Sequence, residues 1–343
     1  MPPSNTAAWV TVPKAYPFTV KEAEYTPPSK GEVVVRVHAV ALNPVDYARQ
    51  ELGNDLFSWT KYPAVFGSDV AGEIVEVGSG ATSRFGVGDR IIGLALGLGS
   101  NRPADGAFQK YVILTEIAMA HIPPGLSYEQ AAVIPLGLST AASALFQNDL
   151  LDLALPTIPR RPENGKTVLI WSGASSVGVN AIQLAVAAGY DVISTASPRN
   201  FTLVKEMGAS QVFDYNSRTI VADIVAAFKN KESVGAFAIG PTSSGPVFEI
   251  ISQIQGKKTV ILANGPPKDV PTGLEAKWVF GSSLLDTDVG PAIFGDYLPK
   301  ALANGTFTAA PAAEIIGNGL ESIQNGLNIL KKGVSAKKLV VLL

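Results

Sequence analysis

Hydrophobic positions follow two different patterns along this chain. Up to about residue 130, short apolar stretches alternate with Gly- and Pro-containing turns, as in Val33–Leu42, Val70–Val77, Arg90–Leu94 and Phe108–Leu114. Short strands with frequent turns are typical of a β-barrel or a β-sandwich. The first third of the chain is therefore predicted to form a β-rich domain.

The pattern changes after residue 130. Thr167–Ser172 predicts an apolar strand, Ser176–Ala188 a buried helix that Gly189 caps, and Tyr190–Ala196 a second strand. The same alternation continues to about residue 285. Strands that alternate with helices predict a parallel, doubly wound sheet, and right-handed crossovers then favour the Rossmann topology.

The tail from about residue 287 predicts one or two helices, including Leu320–Lys332, and a final strand at Lys338–Leu343. A final strand needs a partner sheet, so we expect it to return to the first domain. The predicted fold class is α/β with two domains. We expect residues 131–286 to form the α/β domain, and residues 1–130, completed by 287–343, to form the β-rich domain.

Composition narrows the possible functions. Of the 343 residues, 47% are hydrophobic and 16% charged, with a net charge of −2, so no nucleic-acid or anionic-membrane surface is expected. The start of the chain lacks a secretory pattern, and no apolar run is long enough to span a membrane. We therefore expect a cytoplasmic protein, either a monomer or a homodimer. With no Cys and only His38 and His121, both expected on the surface, we predict no disulfide and no metal site.

The turn after the first strand of the second domain is rich in small residues. It includes Gly173, Ser175, Ser176, Val177 and Gly178, and it opens the long helix. Small residues let the backbone approach a pyrophosphate, and a helix N-terminus offers free N–H groups and a positive dipole end. The full G-x-G-x-x-G pattern is absent, so the position of this turn at the head of a strand–helix alternation is what favours cofactor binding over simple packing.

The end of the second predicted strand indicates which nicotinamide cofactor binds. NAD sites place an acid there, about 20 residues after the glycine turn, to bind the ribose 2′-hydroxyl. This chain has Ser197 and Arg199 there and no acid. Asp191 begins the same strand, so it lies at the opposite end. A hydroxyl and a guanidinium suit a 2′-phosphate, so this strand end favours NADPH. The alternative is that Arg199 is a solvated surface residue with no role in cofactor binding.

Several further motifs resemble one enzyme superfamily over nearly the whole chain, the medium-chain dehydrogenases/reductases. The matching segments are Asn43–Tyr47, Phe66–Gly72, Val87–Ile91, Asp105–Phe108, Ala131–Pro135 and Ala336–Val340. The resemblance implies a GroES-like β-barrel domain followed by a Rossmann domain, with the C-terminus returning to the barrel. It also assigns Tyr215 and Asn264 to the cofactor site.

The chain departs from the zinc-dependent members of that superfamily. Those enzymes carry a metal-binding cysteine near Asn43 and a Gly-His-Glu where this chain has Gly67-Ser68-Asp69. The chain thus resembles the zinc-free branch, which contains quinone reductases and enoyl reductases. Within that branch it is similar to fungal trans-acting enoyl reductases that work beside polyketide synthases. This resemblance implies a small apolar α,β-unsaturated substrate and a polyketide synthase as partner.

The chemistry available to the side chains points the same way. Alcohol oxidation without a metal needs a strong base, whereas hydride addition to a conjugated C=C produces an enolate that ordinary donors stabilise. We expect Asn43, Tyr47 and Thr140 to lie in a cleft between the domains. Asn43 and Thr140 are expected near the nicotinamide or ribose of the cofactor. Tyr47 either donates a proton or hydrogen bond or packs, and Asp46 holds a loop. The predicted function is an NADPH-dependent enoyl reductase; a quinone reductase and a non-catalytic NADPH-binding protein remain alternatives.

Overall fold

A computed structural model describes residues 3–80 and 84–343. The chain divides into two compact units: unit 1 comprises Met1–Leu136 with Ala312–Leu343, and unit 2 comprises Gly137–Pro311. The predicted boundaries, after residues 130 and 286, differ from these, because residues 287–311 belong to unit 2. One reason is that the Gln183 side chain in unit 2 bonds both the carbonyl oxygen (3.1 Å) and the N–H (2.7 Å) of Thr308.

The secondary structure has the following bounds. The strands are β1 Asn5–Val10, β2 Thr19–Ala23, β3 Glu32–Ala41, β4 Ala64–Val65, β5 Asp69–Val77, β6 Arg90–Leu94, β7 Tyr111–Thr115, β8 Met119–His121, β9 Lys166–Ile170, β10 Asp191–Ala196, β11 Gln211–Asp214, β12 Glu232–Ala238, β13 Thr259–Leu262, β14 Glu275–Trp278, β15 Ala312–Asn318 and β16 Lys337–Leu342. The α-helices are α1 Pro44–Leu52, α2 Gly97–Ser100, α3 Tyr128–Ala131, α4 Pro135–Phe146, α5 Ser176–Ala187, α6 Phe201–Glu206, α7 Ile220–Ala227, α8 Ser244–Gln253, α9 Leu298–Ala303 and α10 Ser322–Lys331. A π-helix spans Pro291–Tyr297.

Unit 1 is built from two β-sheets. A seven-stranded sheet runs in the order β15-β16-β3-β5-β6-β8, with β7 also paired to β3, and a three-stranded sheet runs β2-β1-β4. Buried residues of these strands and of the segments between them form one apolar core that includes Phe66, Phe108 and Ile74. The last strand, β16, pairs antiparallel with β3, so the C-terminus returns to this unit as expected.

Unit 2 contains one six-stranded sheet in the order β11-β10-β9-β12-β13-β14, with all neighbours parallel. From the central strand β9, the chain adds β10 and β11 toward one edge of the sheet. It then crosses back and adds β12, β13 and β14 toward the other edge, which is the arrangement of a doubly wound Rossmann sheet. Ligands of such sheets bind outside the carboxyl ends of the strands, where the order reverses. The predicted fold class, a GroES-like domain with a Rossmann sheet, is confirmed.

Three local predictions need correction. The strand predicted at 277–285 ends at Trp278, since a turn follows and Gly281 accepts a hydrogen bond from Ser139. The tail holds strand β15, which the sequence pattern missed because an edge strand with exposed residues lacks a clear apolar alternation. His38 is half-buried and stacks on Tyr128 at 4.3 Å between ring centroids. Within the residues that the structure describes, no helix is long and apolar enough to cross a membrane.

Candidate functional site: a dinucleotide cradle and a buried charge cluster

The turn between β9 and α5 has the backbone geometry that a tight cradle requires. Ser172 adopts a left-handed conformation (φ 66°), which a non-glycine residue reaches only at a cost and which occurs preferentially at functional turns. A Cβ on Gly173 would collide with the Ser194 hydroxyl, and a Cβ on Gly178 would collide with the Ser172 carbonyl oxygen. Both glycines are therefore required for the close approach of the turn and helix α5.

Helix α5 presents unused donors at its N-terminus. The Ser175 hydroxyl accepts a hydrogen bond from the Gly178 N–H at 3.0 Å and donates one to the Ser172 carbonyl at 2.8 Å, so Ser175 caps the helix. Within the described residues, the N–H groups of Ser176 and Val177 have no acceptor. The Ser176 hydroxyl is also buried without a partner. These groups fit an anionic pyrophosphate at the positive end of the helix dipole.

The carboxyl ends of the central strands are tied together by side chains. The Thr195 hydroxyl accepts the Ser172 N–H at 2.9 Å, and the Ser172 hydroxyl donates to the Ile239 carbonyl at 2.8 Å. Asn264, predicted as a cofactor residue, uses its side-chain oxygen to accept the Gly240 N–H at 2.5 Å. Asn264 thus joins the ends of β12 and β13, while Thr195, which no motif pointed to, joins the ends of β9 and β10.

A second polar group of residues follows β10 and β11, which are parallel neighbours with Ala196 opposite Asp214. Ser197 and Tyr215 therefore begin adjacent loops about 5 Å apart. Arg199 and Arg218 lie in these same loops, both exposed, and neither forms an ion pair within the part of the chain described. The loop after β10 contains no carboxylate. Arg218 was missed because only its adjacency to β10, a tertiary feature, brings it to this edge.

Thr140, the third predicted catalytic residue, lies in α4 of unit 2 and is 9% exposed. Its neighbour Ser139 donates a hydrogen bond to the Gly281 carbonyl oxygen, which ties α4 to the segment after β14. Gly137, at the start of this unit, lies against α5, since a Cβ there would contact the Ser176 hydroxyl at 2.7 Å. Helix α4 is therefore held directly beside the β9–α5 turn, residues 171–178, which we call the cradle.

Asn43 and Asp46 in unit 1 belong to a buried charge cluster. Asn43 is the N-cap of α1; its N–H donates to the Asp46 carboxylate at 2.8 Å, which fits the expected loop-holding role of Asp46. The Asn43 side chain donates to Asp69 at 2.8 Å and accepts from Lys338 at 2.5 Å. Lys338 also pairs with Asp69 at 2.9 Å, and Asp69 accepts the Leu136 N–H at 2.6 Å.

Burial controls the electrostatics of this cluster. Asn43, Asp46, Asp69 and Lys338 are each at most 4% exposed. Burial raises the pKa of the Asp46 carboxyl to about 7, and Asp69 adds to the effect, although the Asn43 N–H and the Lys338 charge act in the opposite direction. Both ends of the Asn43 amide are engaged within the cluster, so Asn43 positions the start of α1.

Tyr47 follows directly in α1. Its side chain is half-buried and packs against the core of unit 1. Ser68, where zinc enzymes carry a histidine, is 5% exposed. Across residues 3–80 and 84–343, no group of three or more His, Cys, Asp or Glu side chains is arranged to hold a metal ion.

Comparisons with known proteins agree with this architecture. Residues 29–124 match the model of the alcohol dehydrogenase GroES-like domain. The dehydrogenase pigH of Monascus ruber is 47% identical and aligns over 99% of each chain. The trans-enoyl reductase himH of Aspergillus japonicus is 37% identical over 98% of this chain and 97% of its own. An alcohol dehydrogenase superfamily protein from Novosphingobium aromaticivorans has a TM-score of 0.78 at 26% identity, with 99% of each chain covered.

The fold, the dinucleotide cradle and these relatives together define the class. The chain belongs to the medium-chain dehydrogenase/reductase superfamily. It is an oxidoreductase of a class that uses a nicotinamide cofactor.

Proposed function

We propose that this protein uses NADPH to reduce an activated C=C bond without a metal ion. The observation that carries the proposal is the edge after β10 and β11, where Arg199 and Arg218 have no ion-pair partner in the described chain and the β10 loop has no acid. Two unpaired guanidinium groups suit a 2′-phosphate and would not be needed for a 2′-hydroxyl. The relative named trans-enoyl reductase supports C=C reduction as the reaction.

Different residues of this unit are assigned to successive parts of the cofactor. The free N–H groups of Ser176 and Val177 would bind the pyrophosphate, and Gly173 would leave room for its approach. Ser197, Arg199, Arg218 and Tyr215 would hold the 2′-phosphate end. Thr140, on the helix packed against α5, would hold the nicotinamide end. When bound, the cofactor would supply a hydride for the β-carbon of the substrate.

The remaining steps belong to the protein. As the β-carbon gains its hydride, the π-electron pair of the C=C moves toward the carbonyl oxygen and an enolate develops. The Tyr47 hydroxyl donates a hydrogen bond to this oxygen or a proton to the α-carbon, and water replaces the proton that Tyr47 loses. Asn43 is a positioning residue here, since its contacts to Asp69 and Lys338 fix the first turn of the helix that carries Tyr47.

Consumption of NADPH by the purified protein tests the proposal. We expect turnover with an α,β-unsaturated thioester or ketone, a strong preference for NADPH over NADH, and no loss of activity after treatment with a chelator. Turnover with simple quinones alone would replace this proposal with a quinone reductase. NADPH binding without turnover of either substrate would indicate a non-catalytic binding protein. Near-stoichiometric zinc that leaves together with the activity would refute the metal-free chemistry.

A polyketide synthase is the partner that the fungal enoyl reductase resemblance favours. The Aspergillus japonicus relative is named a trans-enoyl reductase, which agrees with that resemblance. Comparing turnover of a free enoyl thioester with that of the same acyl chain on a carrier protein tests this point. A clear preference for the carrier-bound substrate is expected.

A further inference from the structure

A cavity of about 670 Å³ opens in unit 2 at the C-terminal end of α4. One side is formed by residues 146–148, which end and follow α4, together with Leu155. The opposite side is the segment 285–289, which follows β14. This volume lies in the range of pockets that hold small organic ligands, about 300–1,000 Å³. None of these residues belongs to the dinucleotide cradle described above.

The charge of the cavity wall has one sign. Its ionisable groups are the carboxylates of Asp286 and Asp288, and no Lys, Arg or His is among the wall residues. Only Thr287 separates them, so the two carboxylates are two residues apart on the same wall segment. Both residues are exposed, and neither side chain has an ion pair or hydrogen bond with any other described residue. The wall thus carries two negative charges without compensation from the protein.

The rest of the wall is mixed: Gln147, Asn148 and Thr287 are polar, and Phe146, Leu155, Leu285 and Val289 are apolar. Phe146 and Val289 are 5% and 6% exposed, and Leu155 and Leu285 are half-buried. A ligand that matches this wall has an apolar body and a positive group that can reach both carboxylates. A protonated amine meets this requirement, because each N–H donates a charge-assisted hydrogen bond to a carboxylate oxygen.

The cavity is linked to the proposed nicotinamide end of the cradle through covalent and hydrogen-bonded neighbours in the same unit. Thr140 and Phe146 lie on one helix, about 9 Å apart along its axis. The Gly281 carbonyl, which accepts the Ser139 hydroxyl, lies four residues before the segment that forms the other wall. The wall segment leads directly into the π-helix Pro291–Tyr297, a rare conformation that is found frequently at functional sites.

We propose that this cavity is a second ligand site, which binds an organic cation: a protonated amine on an apolar body. Asp286 and Asp288 bind the ammonium group, while Phe146, Leu155 and Val289 contact the body. The site does not depend on the reaction proposed above, because no residue of the cradle takes part in it.

Calorimetric titration of the full chain at pH 7 tests this site with three probes of one shape. The probes are 4-phenylbutylamine, the neutral alcohol 4-phenylbutanol and the anion 4-phenylbutanoate. We expect the amine to bind at least tenfold more tightly than the alcohol, and the anion to bind more weakly still. Equal affinities for amine and alcohol, or no binding of the amine, would overturn the proposal.

Variants locate the binding. Asp286→Asn with Asp288→Asn keeps the shape and should weaken amine binding at least tenfold while leaving the alcohol unaffected. Leu155→Lys places an ammonium group in the cavity and should abolish amine binding. Glu206→Gln, an exposed carboxylate on α6, is the matched control and should bind the amine like the unmodified chain. Amine binding that survives both cavity variants lies elsewhere and contradicts the assignment.

Discussion

Lys338→Met is expected to destabilise unit 1 by about 3–5 kcal/mol, the usual cost of removing one partner of a buried ion pair. Lys338 is 4% exposed and pairs at 2.9 Å with Asp69, which is fully buried. Without Lys338, the Asp69 carboxylate keeps two neutral donors among the described residues, the Asn43 side chain and the Leu136 N–H. The Asn43 side-chain oxygen also loses its donor. A buried negative charge without a counter-charge then remains in the folded protein.

Urea unfolding, followed by tryptophan fluorescence, measures this loss. For an m-value of about 3 kcal/mol/M, the midpoint should fall by about 1–2 M. The neighbouring Lys337 provides the control, because it also pairs with a carboxylate, Glu314, at 2.7 Å, but both side chains are about half exposed. Lys337→Met should cost about 0–1 kcal/mol, since solvent screens a surface pair.

A second variant separates charge from packing in the same cluster. Replacing both members by neutral hydrogen-bonding residues, Asp69→Asn with Lys338→Gln, removes the uncompensated charge. It should therefore be less destabilising than Lys338→Met alone. If Lys338→Met and Lys337→Met cost the same, or if the double variant is worse than Lys338→Met, the cluster does not hold unit 1 together as argued.

Four further results are expected. Arg199→Ala should weaken NADPH binding by about 1–3 kcal/mol and leave NADH nearly unchanged in a fluorescence titration, because a charge-assisted contact to the 2′-phosphate is lost. Tyr47→Phe should lower turnover about tenfold to a thousandfold at unchanged NADPH affinity, as for one lost donor to a developing enolate. Gly178→Ala should destabilise unit 2 by about 1–3 kcal/mol and weaken the cofactor, because the new methyl group collides with a backbone carbonyl. His38 makes stability fall as the pH drops below about 6.5, where the unfolded chain takes up a proton that the folded chain resists.

The sign of the His38 effect follows from its surroundings. Burial, with a smaller contribution from the Arg36 and Arg90 charges, lowers the pKa of the folded His38 ring below its ordinary value. Folding is therefore unaffected above the ordinary pKa and becomes less favourable below it. His38→Phe keeps a ring against Tyr128 and should flatten the fall in thermal midpoint between pH 7 and pH 5.

Matched variants test the other three expectations. Arg160→Ala removes an exposed arginine outside the cofactor edge, and Tyr16→Phe removes an exposed hydroxyl of unit 1; neither should change binding or turnover. Gly245→Ala lies in helix α8, where a Cβ meets nothing within 4 Å, and should be neutral or stabilising. Equal effects of any target and its control would contradict the role assigned to the target.

The sequence alone predicted most of unit 2 and the strand-to-helix turn where we propose that the cofactor binds. Parallel strands buried on both faces appear as continuous apolar runs, so β9 and β10 were predicted within one or two residues. The cradle could also be located, because Gly173, Gly178, Ser197 and Arg199 follow these strands directly, and a parallel sheet brings its carboxyl ends to one edge.

Tertiary structure alone decided the features that depend on distant residues. Asn43 meets Asp69, 26 residues away, and Lys338, 295 residues away, so no local pattern could show that its amide is engaged within a charge cluster. The loop that contains Arg218 lies beside the loop that contains Arg199 only because β11 pairs with β10. Strand β15 exists because β16 offers it a parallel partner, and its half-exposed residues carry no periodicity of their own. Local patterns report the burial of each element, whereas contacts between elements depend on how the whole chain packs.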